Sequence, residues 1–259
     1  MVTRAAEQSQ TLVEALREAG AEAVVVPLVA FAAPEDTREL DRYLQGGSKF
    51  DWVFFTSQNA VRAVEERCAA LGRKQAFTQA KIAAVGPTTA EAVHSAGLHL
   101  DHVSKVHNGV AMAEELSGKV RGKRVFVPRS DRANPDLIAA LERNGAQVVA
   151  VVAYKTVAGE ADPRQMEEIA AKKSVDAVLF FSPSAVRHLR ELLGVENFRN
   201  FGQQAAFVAI GPVSEGALKE EGVERVLMAA DTTVVASIAA LADFFSKVGQ
   251  VQPAGAKPR

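Results

Sequence analysis

One cysteine, Cys68, stands among 259 residues, so the chain has no internal disulfide and no cysteine-rich metal site. Neither sign of charge is in excess: Lys plus Arg number 30 and Asp plus Glu 31, a net charge of −1. That balance gives no electrostatic footprint for nucleic acid or an anionic membrane surface. Apolar runs such as residues 24–33 fall short of the about 20 residues that span a bilayer, and no signal-peptide pattern follows Met1-Val2-Thr3. Chemical signatures are missing too. There is no G-x-x-x-x-G-K-[ST] phosphate loop, no G-x-G-x-x-G after a strand and no G-x-S-x-G elbow. What is there is ordinary globular material, 48% apolar and 24% charged, in a length that suits two small domains. The expectation is a soluble cytoplasmic protein that binds neither nucleic acid nor membrane.

The chain repeats itself. Asp51-Trp-Val-Phe-Phe-Thr-Ser-Gln-Asn-Ala-Val-Arg62 returns as Asp176-Ala-Val-Leu-Phe-Phe-Ser-Pro-Ser-Ala-Val-Arg187, and Ala84-Val-Gly-Pro87 as Ala209-Ile-Gly-Pro212. Val2-Thr-Arg4 corresponds to Val127-Pro-Arg129, and Gly20-Ala21 to Gly145-Ala146. Every pair is 125 positions apart, as with 51 and 176 or 4 and 129, without a net gap. This is a tandem duplication. Residues 248–259, with their Pro and Gly, read as a disordered tail.

Within each half, short β-branched or aromatic runs alternate with helical patterns. Strands are expected at residues 2–4, 23–31, 52–56, 82–85 and 102–106, then at 124–127, 148–157, 177–181, 206–210 and 225–227. Helical periodicity fills 7–19, 60–71 and 88–96, with Gly20, Gly72 and Gly97 placed to end those helices at positive φ. The alternation implies parallel sheets covered on both faces, a doubly wound α/β architecture, and five strands per half suit two flavodoxin-like domains. Two runs, 23–33 and 148–159, are nearly twice the usual strand length, and ten extended residues reach about 33 Å. The residues alone leave two arrangements open: one long strand plus a loop, or a segment that leaves one domain and enters another.

Open α/β sheets place function beyond the carboxyl ends of their strands. Thr56-Ser57 and Phe181-Ser182-Pro-Ser184 each follow a strand and open a helix, as do Gly86-Pro-Thr88-Thr89 and Gly211-Pro-Val-Ser214. Each supplies an N-cap and unpaired N–H groups at the positive end of a helix, which suits an anion. Four such ends facing one cleft suit a ligand with several carboxylates, whereas plain capping explains any one alone. Arg4 and Arg129 end their strands on the same side and can pair a carboxylate bidentately or stay solvated. His94, His99, His102 and His107 lie in a loop-rich stretch without a metal-ligand motif, so no metal site is expected. Tyr154, one of two tyrosines, stands near the end of the second long run. A phenol there can donate a proton to a leaving hydroxyl, or simply line a domain edge.

The duplicated strand–Thr/Ser–Ser motif, the two Gly-Pro-x-[Thr/Ser] turns, Val127-Pro-Arg129 and Val151-Val-Ala-Tyr-Lys-Thr156 together resemble the uroporphyrinogen-III synthase family, from Val2 to about Lys247. The resemblance implies two flavodoxin-like domains joined by a two-stranded β-ladder, the second inserted in the first. Residues 1–30 and 159–247 would form one domain and 36–153 the other, with the two overlong runs as the ladder. It implies a cofactor-free enzyme of tetrapyrrole (haem, sirohaem, cobalamin) biosynthesis that cyclises the polycarboxylated hydroxymethylbilane to uroporphyrinogen III. The reaction inverts the last pyrrole ring and releases water, and a transient contact with the preceding pathway enzyme is expected.

By that resemblance Tyr154 assists hydroxyl loss, and Ser57, Thr88, Thr89, Ser182, Ser184 and Ser214 line the cleft. Gly86, Gly211, Arg4 and Arg129 complete the expected substrate-binding set. Three departures stand out: the first strand is cut to Val2-Thr3-Arg4, Val213 takes the place of a common Thr, and Phe181 replaces the Thr of the first repeat. Two other classes build similar lobes. A two-lobed ligand-binding or sensory protein normally carries a signal peptide or an output domain, and a nucleotide-sugar transferase generally needs a longer chain.

Overall fold

The computed structural model describes residues 1–45, 49–171, 174–230 and 233–250. After a 3-10 turn at Ala6–Gln8 come α1 (Gln10–Glu18), β1 (Val29–Ala32), α2 (Arg38–Leu44), β2 (Trp52–Phe55), α3 (Gln58–Ala70) and β3 (Lys81–Ala84). The first repeat ends with α4 (Pro87–Ser95), β4 (His102–Val103), α5 (Gly109–Glu115) and α6 (Ser117–Val120). The second has β5 (Arg124–Ser130), α7 (Asp136–Arg143), β6 (Gln147–Ala158), α8 (Pro163–Ala171), β7 (Ala177–Phe180) and α9 (Pro183–Leu193). It closes with α10 (Val195–Gln204), β8 (Ala206–Ala209), α11 (Pro212–Glu220), β9 (Val226–Met228) and α12 (Val234–Gln250). Local chemistry sets the helix ends. Ser57, Asn108 and Ser182 cap α3, α5 and α9, each side chain accepting from the N–H three residues on. Gly20 and Gly145, equivalent in the two repeats, follow α1 and α7 at φ of 83° and 81°, where a side chain is strained.

The chain divides into two compact units that cut across the sequence repeats. Unit 1 holds Met1–Ala30 together with Val157 onward, and unit 2 holds Phe31–Thr156. In unit 2 a parallel sheet runs in the order β6-β5-β2-β3-β4, and β1, which the division of the chain cuts after Ala30, lies next to β6 as a sixth strand. In unit 1 the parallel sheet β7-β8-β9 is extended by Val2, which bridges Leu179 of β7 on one side and Val25 on the other. Numbered by position in the repeat, both units therefore read 2-1-3-4-5, the doubly wound order of the flavodoxin type. Each unit draws its first two positions from one repeat and its last three from the other.

The expected strand at 2–4 is reduced to the two isolated bridges of Val2. The expected run at 23–33 is likewise not one strand. Val24 O accepts from Val2 N–H (2.8 Å), Val26 N–H donates to Val2 O (2.9 Å), and only from Val29 does β1 begin. Pro27 sits between them and has no N–H to give to a ladder. β6, without a proline, continues unbroken for 12 residues. α12 runs to Gln250, so residues 248–250 of the expected tail are helical, and 251–259 lie outside the described residues.

Strand alternation builds a core on each face of each sheet. In unit 2, Val53 and Phe55 join Phe50, Phe126 and Tyr154 on one face, while Trp52 and Phe54 join Met112, Val125 and Leu141 on the other. Both faces are buried, as a parallel sheet requires. In unit 1, Phe180, Phe198, Phe201 and Phe207 fill one face, and Val2, Leu12, Leu179, Val208 and Leu241 the other. Truncating one of these phenylalanines to Ala costs about 3–5 kcal/mol. Among the described residues no helix is long and apolar enough to cross a membrane.

Candidate active site

In unit 2 the end of β2 and the end of β6 meet. Ser57 follows β2 in extended conformation, and its Oγ caps α3 by accepting from Ala60 N–H at 3.1 Å. β5 and β6 pair in register up to Arg129 and Val152, then slip by one residue so that Ser130 faces Tyr154. Such an irregularity re-aims a side chain at the end of a strand. The Tyr154 hydroxyl lies 2.9 Å from Ser57 Oγ, where either can donate, and the ring meets Phe31 edge-on at 5.7 Å. Tyr154 is only 9% exposed. Burial raises its phenol above the ordinary value and Asp131 adds to the rise, while hydrogen bonding to Ser57, Asn59 and Ser130 pulls the other way. The phenol is thus a neutral proton donor throughout the physiological range.

A pocket of about 390 Å³ lies at the same end of unit 2, lined among others by Thr56, Asn108, Val127, Arg129 and Asn134. The Arg129 guanidinium donates to the carbonyls of Ser130, at 3.2 Å, and Ala133, which fixes its plane. Gly86 heads α4 with Thr88 exposed and Thr89 buried behind it. A Cβ on Gly86 would stand 3.4 Å from the His107 ring.

Unit 1 repeats the helix starts with different side chains around them. Ser182 Oγ caps α9 by accepting from Ala185 N–H at 3.3 Å, with Ser184, the second residue of the helix, buried. Gly211 heads α11, Ser214 is buried, and Val213 is 74% exposed. The Arg4 guanidinium sits 4.8 Å from the centre of the Phe181 ring, and burial lowers its pKa. Where unit 2 has Tyr154, the equivalent position of unit 1 has Val29.

Of the residues singled out in the sequence, the structure brings Tyr154 onto Ser57 and sets Arg129 beside Thr56. The others occupy separate helix starts within their own units: Gly86, Thr88 and Thr89 on α4, Ser182 and Ser184 on α9, Gly211 and Ser214 on α11. Sequence reasoning missed Phe31, Asn59, Ser130 and Asp131 around the phenol. Nothing in a linear pattern marks them, because the one-residue slip between β5 and β6 is what turns Ser130 toward Tyr154. The histidines disperse: His102 Nε2 is 2.8 Å from Glu115 Oε2, and His107 stands against Gly86. Among the described residues no group of three or more His, Cys, Asp or Glu could hold a metal ion.

Three kinds of comparison agree on relatives. A family model described as uroporphyrinogen-III synthase HemD matches residues 10–239. A uroporphyrinogen-III synthase of Synechococcus elongatus is 28% identical over 214 residues, covering 82% of this chain and 81% of that protein. Two solved structures share the fold. A mutant uroporphyrinogen III synthase of Thermus thermophilus superposes with a TM-score of 0.60 at 20% identity, over 96% of this chain and 98% of that one. The uroporphyrinogen-III synthetase of Helicobacter pylori gives 0.62 at 17%, over 85% and 92%.

Proposed function

The chain belongs to the uroporphyrinogen-III synthase family and cyclises hydroxymethylbilane in tetrapyrrole biosynthesis, and we propose that Tyr154, oriented by Ser57, is its proton donor. The carrying observation is the 2.9 Å contact between a buried neutral phenol and the hydroxyl that caps α3. In this reading Tyr154 gives its proton to the departing hydroxyl of the substrate, which leaves as water, and an electrophilic azafulvene remains. The last pyrrole attacks through its substituted carbon to give a spiro intermediate, which fragments and recloses with that ring inverted. The final ring carbon then loses a proton, which restores the phenol. Burial disfavours a lasting phenolate and so favours that return.

Pyrrole electrons drive each bond change, so the reading includes no cofactor, and the protein's task is geometry. The helix starts at Ser57, Gly86 with Thr88 and Thr89, Ser182 with Ser184, and Gly211 with Ser214 are assigned to the substrate carboxylates. Arg129, its plane fixed by two carbonyls, is assigned one carboxylate in the pocket it shares with Thr56, and Arg4 a second in unit 1. A cytoplasmic setting belongs to the same reading and rests on the single, buried thiol Cys68, whose pKa burial raises. Because the free substrate also closes without enzyme, we place a transient handover contact with the preceding pathway enzyme.

Product identity is the test. Unassisted closure joins head to tail and gives the symmetrical isomer I, so faster consumption of substrate alone proves little. Each 1.4 kcal/mol by which the protein favours the spiro path changes the product ratio about tenfold. Chromatography of the oxidised, esterified products is expected to show isomer III in large excess. Isomer I in excess at saturating protein would sink the assignment.

A further inference from the structure

At the opposite end of the unit 2 sheet, where β2, β3 and β5 begin, lies a larger pocket of about 780 Å³ that the cyclisation does not use. Its rim carries Lys49, Arg73, Lys81, Lys119 and Lys123, against one carboxylate, Asp51. Asp51 is already committed: it accepts from Arg124 N–H at 2.9 Å and stands 3.2 Å from Lys123 Nζ. Lys81 lies over the face of Trp52, 5.6 Å from its centre. In a chain of net charge −1, this is a local concentration of positive charge.

The wall of the pocket is aromatic. Tyr43 and Phe77 are half-buried there. Phe77 holds φ at 63°, a left-handed backbone that costs a residue with a side chain about 1 kcal/mol or more. Its ring is kept 4.8 Å from Phe126 and 5.9 Å from Phe50, which fixes it in the wall. Four ammonium groups and one guanidinium around one cavity call for an anion with several charges. Ammonium groups act as compact point charges that suit the oxygens of a polyphosphate, and the one guanidinium adds a fork that also matches phosphate. The aromatic wall calls for a flat ring. We propose that this pocket binds a nucleoside triphosphate, with the phosphates on the lysine rim and the base against Tyr43 and Phe77. The length of β2, about 13 Å at 3.3 Å per residue, separates it from Ser57 and Tyr154, so the ligand occupies a second site.

Trp52, the only tryptophan, lies in the wall and reports occupancy through its own emission. ATP titrated into the full chain at low salt is expected to change that emission saturably, and added salt to weaken binding. The double variant K81E/K119E alters two exposed side chains remote from Tyr154. It is expected to weaken ATP by about tenfold or more while keeping its far-UV spectrum and its cyclisation rate. Tripolyphosphate, which lacks a base, is expected to bind about tenfold more weakly than ATP, in line with the worth of one stacked base. Y154F is expected to bind ATP as the parent does. The proposal is overturned by no saturable change up to about 5 mM ATP, well beyond millimolar affinity. It is equally overturned by unaltered affinity in a folded K81E/K119E, by equal affinity for tripolyphosphate, or by loss of ATP binding in Y154F.

Discussion

Units 1 and 2 share a strand order and a set of capped helix starts, yet they present different chemistry at the ends of their strands. Unit 2 has Thr56, Arg129 and Tyr154, with a pocket beside the arginine and a hydroxyl pair 2.9 Å apart. At the equivalent positions unit 1 has Phe181, Arg4 and Val29, and its arginine stacks on the phenylalanine ring. The helix starts are duplicated because the fold requires them twice, and every one exposes N–H groups. The buried phenol is present once. Duplication explains the scaffold, and substitution at positions 29 and 154 explains why the phenol stands in one unit alone.

The comparison breaks most completely if the units are not built from exchanged segments. Residues 1–122 include Val2, Leu12 and Leu16, whose packing partners Leu179, Val208 and Leu241 lie in the other repeat. They also include β2, which pairs β5 beyond the cut. This half alone is therefore expected to show no cooperative urea transition and no dispersed amide spectrum. A folded half would mean that each repeat is a domain in its own right.

Next in size is the phenol. Tyr154→Phe is expected to lower kcat about 10²-fold, the scale of a lost general acid, with about 1 kcal/mol of stability lost with its hydrogen bond. An unchanged rate would leave unit 2 no chemical distinction from unit 1. The pH dependence of folding carries the same residue. The unfolded phenol ionises near pH 10 and the folded one above it, so this contribution to stability is intact below pH 10 and is lost as pH rises through the folded value. Denaturant midpoints measured between pH 9 and 11 are expected to fall more steeply in the parent than in Y154F.

A smaller effect separates the two capping serines. Ser57→Ala and Ser182→Ala each remove one N-cap, worth about 0.5–2 kcal/mol, so their midpoints should shift alike. Only Ser57→Ala loosens the phenol, and only it is expected to slow turnover, by about tenfold. Equal kinetic loss in both would make the caps, rather than the Tyr154 contact, the functional element.

The alternation of strands and helices was legible because each strand is a short apolar run flanked by capping residues, as at 52–57 and 177–182. The duplication was legible because its offset is constant. Residues 2–4 and 23–33 read poorly for a shared reason: Val2 makes its ladder with a segment interrupted by Pro27, so tertiary pairing, not local propensity, decides what is strand there. The candidate site was half legible. Ser57 and Tyr154 stand out as residue types, but their meeting depends on a register slip that leaves no trace in composition. Arg4 shows the opposite failure, a strand-end arginine whose surroundings, the Phe181 ring, decide whether it is available.

The smallest expected effect comes from making unit 1 look like unit 2 at one position. Phe181→Thr restores the residue of the first repeat and removes the ring beneath Arg4. The stacked cation accounts for about 0.5–2 kcal/mol. Phe181 also packs at the edge of the cluster of Val2, Leu12 and Leu179, so the urea midpoint should fall by an amount equivalent to about 1–3 kcal/mol. Turnover should stay within about twofold, because no proton donor stands at position 29 to be reoriented. Freed of the ring, Arg4 gains water and a route to a carboxylate, so any kinetic change is expected in KM and downward. A tenfold drop in kcat with an intact fold would contradict this. It would show that the strand ends of unit 1 act in the chemical step and that the asymmetry between the units lies elsewhere than in Tyr154.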